Sequence, residues 1–269
     1  MTESDKQLVR DFWQQASCGE DLYLTGTDRQ GYVDQARERY RLEPYIEEFA
    51  SFASAENRDV LEIGVGLGAD HQRFAEAGAR LTGIDLTERA IEHVRRRLEL
   101  FGLRSDLRTG DAERLTFEEA KFDVVYSWGV IHHSPDTPRA VTEIHRVLRP
   151  GGIARVMIYH KRSLVGYMLW MRYALLRLRP FTSLTEIYSS HLESPGTKAY
   201  SVAEARQLFG AFSRVDVRTV LTHSDLLESG AGQRHRGAAL SMARRLWPRW
   251  LFRRIFASHG LFMLITAVK

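Results

Sequence analysis

The stretch Val60-Leu61-Glu62-Ile63-Gly64-Val65-Gly66-Leu67-Gly68 decides the fold of this 269-residue chain. It joins the apolar residues of a short strand to three glycines, and a helix is predicted to follow over residues 69–78. Glycine is needed where the backbone takes a positive φ or passes close to a ligand, and the free N–H groups at the start of a helix point toward that ligand. The stretch therefore predicts a strand, a loop and a helix that bind a nucleotide-like cofactor.

Two kinds of cofactor suit this loop. Gly64, Gly66 and Ala69 also satisfy the dinucleotide fingerprint, in which alanine can stand third. A pyrophosphate would lie against Glu62 and near Asp70, and the like charges would repel each other. A cofactor with a cationic sulfonium, an amino group and no phosphate tolerates or uses these acids. We therefore favour S-adenosylmethionine over a dinucleotide.

Polar residues at the ends of the next predicted strands fit the same cofactor. The strand over residues 80–85 closes on Asp85, about 20 residues after the glycines, where a carboxylate can accept both ribose hydroxyls. Leu86 follows it and is expected to pack on the adenine. A third strand over residues 105–109 leads to Asp111, whose carboxylate is expected to accept from the adenine amino group.

Residues of about 58–160 resemble the core of a class I S-adenosylmethionine-dependent methyltransferase of the small-molecule type. Four motifs carry the resemblance, in order and spacing: 62–68, 83–85, 110–112 and 148–152. It implies an α/β fold with a doubly wound, mostly parallel seven-stranded sheet and helical lid insertions. It also implies that Glu62, Gly64, Gly66 and Gly68 line the methionine portion, Asp85 the ribose, Asp111 and Ala112 the adenine, and Ser127 the region beside the sulfonium.

The chain is predicted to form one enlarged methyltransferase domain, because no Pro/Gly/Ser-rich linker divides it. We expect residues 1–56 to form an N-terminal helical lid and residues 57–269 the methyltransferase domain. Insertions over about 161–198 and 223–258 are expected to leave the carboxyl ends of the fifth and sixth strands. Ligands bind at that edge of an open α/β sheet, so the insertions and the lid should roof the substrate chamber.

Charge is unevenly distributed along the chain. Residues 1–149 carry a net charge of −8 and residues 150–269 one of +12, although the whole chain carries only +4. The basic excess is concentrated in the two insertions, where arginines alternate with aromatic and aliphatic residues. In the second insertion these arginines are Arg244, Arg245, Arg249, Arg253 and Arg254.

Three interpretations of this basic, apolar roof stay open at the level of sequence. The arginines can form a solvated face. They can meet an acidic, lipophilic substrate or a lipid at a membrane surface. They can also track the phosphates of RNA. The chain has no recognised RNA-binding module, so a small-molecule acceptor with peripheral membrane contact is favoured over RNA.

Three histidines are candidate catalytic bases. The sulfonium methyl is already activated, so the enzyme must align a nucleophile and, for a hydroxyl acceptor, remove a proton. His132 and His133 follow the fourth predicted strand and His160 follows the fifth, which places all three at the active edge. Each can instead be a packing residue. No metal is expected, because neighbouring histidines seldom converge on an ion and no third His or Cys is spaced to help.

The sequence thus predicts an S-adenosylmethionine-dependent methyltransferase that acts on a small or lipophilic molecule, with oxygen favoured and nitrogen and carbon acceptors open. The alternatives are an RNA methyltransferase and a non-catalytic regulator that binds the cofactor. The single cysteine, Cys18, and a polar start without a signal-peptide core predict a cytoplasmic protein. The longest apolar stretch, over residues 164–178, is too short to span a membrane. The sequence does not indicate an oligomeric state.

Overall fold

The computed structural model describes residues 3–228 and 247–269. Within these ranges, seven strands form one sheet in the order β3-β2-β1-β4-β5-β7-β6. Strand β7 runs antiparallel to β5 and β6, and the other pairs are parallel. The predicted fold class is therefore confirmed. The strands are β1 Asp59–Ile63, β2 Arg80–Asp85, β3 Asp106–Thr109, β4 Phe122–Trp128, β5 Leu148–Tyr159, β6 Arg214–Val220 and β7 Phe262–Val268.

Helices cover both faces of the sheet and its carboxyl edge. They are α1 Glu3–Gln15, α2 Glu20–Tyr23, α3 Arg29–Leu42, α4 Tyr45–Ala50, α5 Ala69–Glu76, α6 Glu88–Phe101, α7 Thr137–Val147, α8 Leu164–Tyr173, α9 Leu184–His191, α10 Val202–Leu208 and α11 Arg249–Ile255. Two 3₁₀ turns occupy Phe52–Ala55 and Leu175–Arg177.

Alternate residues of the central strands enter different apolar clusters. In β1, Leu61 packs in the cluster that contains Ile144 of α7, whereas Val60 packs in the cluster that contains Phe74 of α5. Successive side chains of a strand point to opposite faces of the sheet. Both faces are therefore buried, which explains why β1 and β4 are almost continuously apolar.

The N-terminal helices are fastened to the sheet near the glycine loop. The buried guanidinium of Arg97, in α6, donates from Nη1 to the backbone oxygen of Leu67 at 2.9 Å and to Oε1 of Gln35 at 2.8 Å. Its Nη2 donates to the backbone oxygen of Tyr32 at 3.0 Å. One side chain thus connects α3 to the glycine loop. The division of the chain at residue 56 stays a prediction.

The first insertion forms α8 and α9 between β5 and α10, and the described part of the second includes α11 before β7. Arg244 and Arg245, from the second basic segment, lie outside the described residues. Across residues 3–228 and 247–269, no helix is long and apolar enough to cross a bilayer.

Candidate active site

A cavity of about 920 Å³ opens at the carboxyl edge of the sheet. Its volume is in the range of sites that hold small molecules and cofactors. Its walls come from the glycine loop, the ends of β2, β4 and β5, the N-terminal helices and both insertions. The lining includes eight of the nine predicted cofactor residues: Glu62, Gly64, Gly66, Gly68, Asp85, Leu86, Asp111 and Ala112.

Two glycines of the loop have different roles in the backbone. Gly64 has a φ of 81°, and a Cβ added to it would lie 2.0 Å from Cγ2 of Val130. Gly66 has a φ of 49°, and a Cβ added there would meet nothing within 4 Å among the described atoms. Gly64 is therefore required by close packing, whereas Gly66 leaves open space in the cavity for a ligand.

Asp85 retains hydrogen-bonding capacity toward the cavity. Its Oδ1 accepts from the backbone N–H of Thr87 at 3.0 Å and from the Thr87 hydroxyl at 2.8 Å. Its Oδ2 accepts a long bond of 3.3 Å from the N–H of Gly66. Burial raises the pKa of Asp85, and the Thr87 bonds oppose that rise. The Oδ2 lone pairs are available to the two hydroxyls of a ribose.

Glu62 is paired with a histidine that the sequence analysis did not consider. The Ser105 hydroxyl donates to the backbone oxygen of Leu81 at 2.8 Å, so its oxygen accepts from Nε2 of His71 at 2.9 Å. This fixes the proton of a neutral His71 on Nε2 and leaves Nδ1 as an acceptor, 2.8 Å from Oε2 of Glu62.

The Glu62–His71 pair is buried and neutral. Burial raises the pKa of Glu62 well above its ordinary value, and Asp70 adds to the rise. Burial also lowers the pKa of His71 to about 3. Glu62 therefore carries the proton and donates it to Nδ1 of His71. A cation placed beside Glu62 would favour the ionised carboxylate instead.

Asp70 is an ionised carboxylate that anchors α3. Arg39 of α3 donates from Nε to Oδ1 at 3.0 Å and from Nη2 to Oδ2 at 2.5 Å. The hydroxyls of Tyr40 and Tyr126 donate to the same carboxylate at 3.0 and 2.8 Å. Burial opposes ionisation of Asp70, but Arg39 outweighs it and the pKa is lowered. The network links α3, α5 and β4 at the floor of the cavity.

His133, Tyr159 and Glu193 meet in the cavity lining. The Tyr159 hydroxyl donates to Oε2 of Glu193 at 2.6 Å, and Nε2 of His133 lies 3.3 Å from the same oxygen. On its other side, Nδ1 of His133 lies 3.0 Å from Oγ1 of Thr197 and 2.9 Å from Oγ of Ser194. Burial raises the pKa of Tyr159 well above its ordinary value, so it stays a donor.

The other two candidate histidines lie outside the cavity lining that the described residues form. The His132 ring is fully buried, 4.0 Å from the Tyr159 ring centroid, and neither ring nitrogen has a hydrogen-bond partner among the described residues. Burial lowers its pKa well below the ordinary value. Nδ1 of His160 lies 3.2 Å from the backbone oxygen of Gly260 and joins the end of β5 to the chain before β7. A base role for either residue therefore has no support from the geometry.

Ser127 also lies outside the lining. Its side chain is buried, and its hydroxyl has no partner among the described residues. The next residue, Trp128, lines the cavity, because successive strand residues point to opposite faces. The contact of Ser127 with the sulfonium region stays a prediction, and the geometry favours Trp128 for that position.

Two residues of the polar cluster of His133, Tyr159 and Glu193 were not predicted from the sequence. Tyr159 is the last residue of β5, so its place at the carboxyl edge was available from the same rule that selected His160. Glu193 lies in the first insertion, two residues after the end of α9, and no motif marks it. Among the described residues, no group of three His, Cys, Asp or Glu side chains is placed to hold a metal ion.

The remaining lining beyond the polar cluster is mainly apolar. Its side chains come from the first insertion, the described part of the second and the start of β7. They include Val165, Met168, Leu169, Leu192, Leu227, Trp247, Leu261 and Phe262. The cavity thus has a polar end at the glycine loop and an apolar chamber next to His133.

Comparison with known proteins identifies the fold family. Residues 61–156 match the family described as "Methyltransferase domain". A "Probable S-adenosylmethionine-dependent methyltransferase" of Mycolicibacterium smegmatis is 41% identical over 96 residues, 36% of each chain. A ubiquinone biosynthesis O-methyltransferase of Coxiella burnetii is 26% identical over 145 residues, 54% of this chain and 55% of that protein. The chain thus spans about a third to just over half of the length of these curated relatives.

A solved structure extends the likeness of fold to nearly the whole chain. Haemonchus contortus phosphoethanolamine N-methyltransferase 2, in complex with phosphomonomethylethanolamine and S-adenosylhomocysteine, superposes with a TM-score of 0.62 at 19% identity. The superposition covers 97% of this chain and 60% of that one. Residues 61–156, which match the methyltransferase domain, contain the glycine loop and the first strands of the seven-stranded sheet. Residues 61–156 are thus a methyltransferase domain, on a sheet with the strand order of the class I S-adenosylmethionine-dependent methyltransferase fold.

Proposed function

We propose that the chain transfers a methyl group from S-adenosylmethionine to a hydroxyl oxygen of a small, lipophilic acceptor. One observation carries this proposal: a single cavity joins the glycine loop to an apolar chamber with a His133–Glu193–Tyr159 cluster. A cofactor end, an acceptor end and a candidate base thus share one enclosed space.

The residues at the polar end fit the cofactor. Asp85 offers Oδ2 to the ribose hydroxyls, and Asp111 with Ala112 lies where the adenine is expected. Glu62 faces the methionine portion, and Gly66 leaves space for it. When bound, the cofactor supplies a methyl group on a cationic sulfur.

His133 is the side chain that we assign as the general base. The Thr197 hydroxyl donates to the backbone oxygen of Ser194 at 2.7 Å, so its oxygen can accept from Nδ1–H of His133. This tautomer leaves Nε2, a buried nitrogen with no hydrogen-bond partner among the described residues, as the proton acceptor. Nε2 can then take the acceptor's hydroxyl proton, and the carboxylate of Glu193, 3.3 Å away, stabilises the imidazolium that forms.

Tyr159 fixes the position of Glu193 through its 2.6 Å hydrogen bond. The arrangement of a base and an orienting carboxylate is the one that proton abstraction from a weak acid requires. The apolar chamber favours an acceptor with a hydrocarbon or aromatic body. The likeness to a ubiquinone biosynthesis O-methyltransferase supports a lipophilic acceptor that is methylated at a hydroxyl oxygen.

Turnover with a panel of apolar phenols and alcohols tests the proposal. The wild type should form S-adenosylhomocysteine with at least one of them, and His133→Ala should lower kcat by about 10²-fold with little change in cofactor affinity. His145→Ala, in α7 and outside the cavity lining, is the matched control and should keep full activity. Binding of the cofactor with no product from hydroxyl, amine or carbon acceptors would instead support a non-catalytic regulator.

A further inference from the structure

A patch of exposed apolar and basic side chains covers the end of α8 and the segment after it. We define the 171–181 patch as residues 171 to 181, which include the 3₁₀ turn Leu175–Arg177. The exposed fractions of Leu176, Leu178 and Phe181 are 74%, 91% and 99%. Arg177 and Arg179 alternate with them and are exposed as well. Large apolar side chains so fully exposed and so close together are the signature of an interaction site.

The backbone conformation of Leu178, within the patch, is energetically unfavourable. Leu178 has a φ of 56° and a ψ of 34°, in the left-handed region that glycine or asparagine normally occupies at the end of a helix. A residue with a β-carbon is strained in that conformation, and the exposed side chain of Leu178 has no buried contacts that would offset the strain. Strain together with exposure indicates that the side chain is used outside the folded chain.

The patch is also rich in positively charged side chains. No acidic residue occurs between Glu143 and Glu186, and the patch contains Arg172, Arg177 and Arg179. The guanidinium groups of Arg172 and Arg177 each lie 5.2 Å from the ring centroid of Tyr173. A partner of complementary chemistry must therefore be anionic as well as apolar.

The patch forms the rim of the cavity. Met171, Arg172 and Leu176 line the cavity, and the same three side chains are exposed to bulk solvent. Residues with both properties lie at an opening. Whatever binds the patch is therefore next to the entrance of the apolar chamber.

We propose that the 171–181 patch docks on the surface of an anionic lipid bilayer, with Leu178 and Phe181 at the boundary between headgroups and acyl chains and Arg177 and Arg179 at the lipid phosphates. Exposed aliphatic and aromatic tips flanked by arginines suit this interface. A lipophilic acceptor can then enter the chamber from the membrane without crossing water. This last step rests on the proposed function; the docking does not.

Vesicle co-sedimentation of the full chain tests the docking. The wild type should bind vesicles of phosphatidylcholine with phosphatidylglycerol more strongly than vesicles of phosphatidylcholine alone. The double variant L178S/F181S should bind at least about tenfold more weakly to the anionic vesicles, because it loses two inserted apolar side chains. The variant R177Q/R179Q should lose most of the preference for anionic vesicles and most of the dependence on salt.

Three controls keep the result specific. R95S/R104S removes two exposed arginines elsewhere and L8S removes an exposed leucine elsewhere, and both should bind vesicles like the wild type. Calorimetric titration with S-adenosylhomocysteine should give the same affinity for every variant, which shows that each one is folded. None of the four patch residues that are replaced lines the cavity.

Several results would overturn the docking. Absence of vesicle binding by the wild type, or binding unaffected by L178S/F181S, removes the bilayer as the partner. A dimer in sedimentation velocity that L178S/F181S converts to monomer, without vesicle binding, would assign the patch to a second copy. Turnover of a detergent-dispersed acceptor is measured separately: its failure would contradict the proposed function and leave the docking result intact.

Discussion

Nζ of Lys6, in α1, lies 2.5 Å from Oδ2 of Asp111, although 105 positions separate the two residues in the chain. The same ammonium lies 2.7 Å from Oε2 of Glu113. Both Lys6 and Asp111 line the cavity. The first helix is therefore held across the region where the adenine is expected, by a charge pair on the residue that the sequence selects as an adenine contact.

Release of the cofactor should be faster when the Lys6–Asp111 ion pair is removed. We expect Lys6→Met to raise the dissociation rate of S-adenosylhomocysteine by about fivefold, since a partly exposed ion pair contributes ~1 kcal/mol. Stopped-flow fluorescence measures the rate. Lys121→Met, at an exposed lysine beside Phe117 and outside the cavity lining, is the control. An unchanged rate in Lys6→Met would mean that α1 does not hold the cofactor.

Asp85→Ala should weaken binding of S-adenosylmethionine by about 2 kcal/mol or more, because charge-assisted hydrogen bonds to the ribose are lost. Isothermal titration calorimetry measures the affinity. Asp106→Ala, at an exposed carboxylate paired with Arg108, provides the matched control. Equal affinity of the two variants would contradict the assignment of Asp85, as would tighter binding of NAD than of S-adenosylhomocysteine by the wild type.

Low pH should weaken the ion pairs that attach α2 to α6. The carboxylate of Glu20 pairs with Arg89 at 2.6 Å and lies 3.2 Å from Nε2 of His93. Burial opposes ionisation of Glu20, but the Arg89 bond outweighs it and lowers the pKa from 4.5 to about 2. A depressed pKa stabilises the fold above the unfolded value, and that stability is lost as the pH falls from about 4.5 toward 2.

Glu20→Gln isolates this effect. Its free energy of unfolding should lie roughly 2 kcal/mol below that of the wild type near pH 7, a value already discounted for partial exposure. The difference should shrink below pH 4.5 and be nearly gone at pH 2. Urea unfolding at several pH values measures it. A difference that stays constant across this range would show that the carboxylate charge is not what holds α2.

His132→Phe should keep kcat within about threefold of the wild type, because only His133 of the adjacent pair faces the chamber. The fold should be unharmed or stabilised by ~1 kcal/mol, since two buried ring nitrogens without partners are removed. Steady-state kinetics measure kcat, and thermal unfolding measures the stability of the variant. Loss of turnover in a folded His132→Phe, with full activity in His133→Ala, would reverse the assignment of the base.

Local patterns made the fold and the cofactor end predictable. The glycine loop and the strand ends at Asp85 and Asp111 are contiguous motifs, so their position at one cavity was predictable, whereas their contacts with a cofactor stay a prediction. The sequence did not predict whether Ser127 or Trp128 faces the cavity. A strand that is buried on both faces lacks the alternation of polar and apolar residues that would show which side chains point to which face. Glu193 was missed for another reason: a long-range contact made by an insertion leaves no periodic signal.

The Glu62–His71 pair can present either a neutral acid or a carboxylate to the pocket, while the total charge of the pair stays at zero. The proton on Glu62 has only a 2.8 Å hydrogen bond to cross to reach Nδ1 of His71. A cation in front of Glu62 draws the proton to the imidazole and leaves a carboxylate, and loss of that cation returns it. A cationic group bound beside Glu62 can thus meet a carboxylate without the pair losing a proton to bulk water.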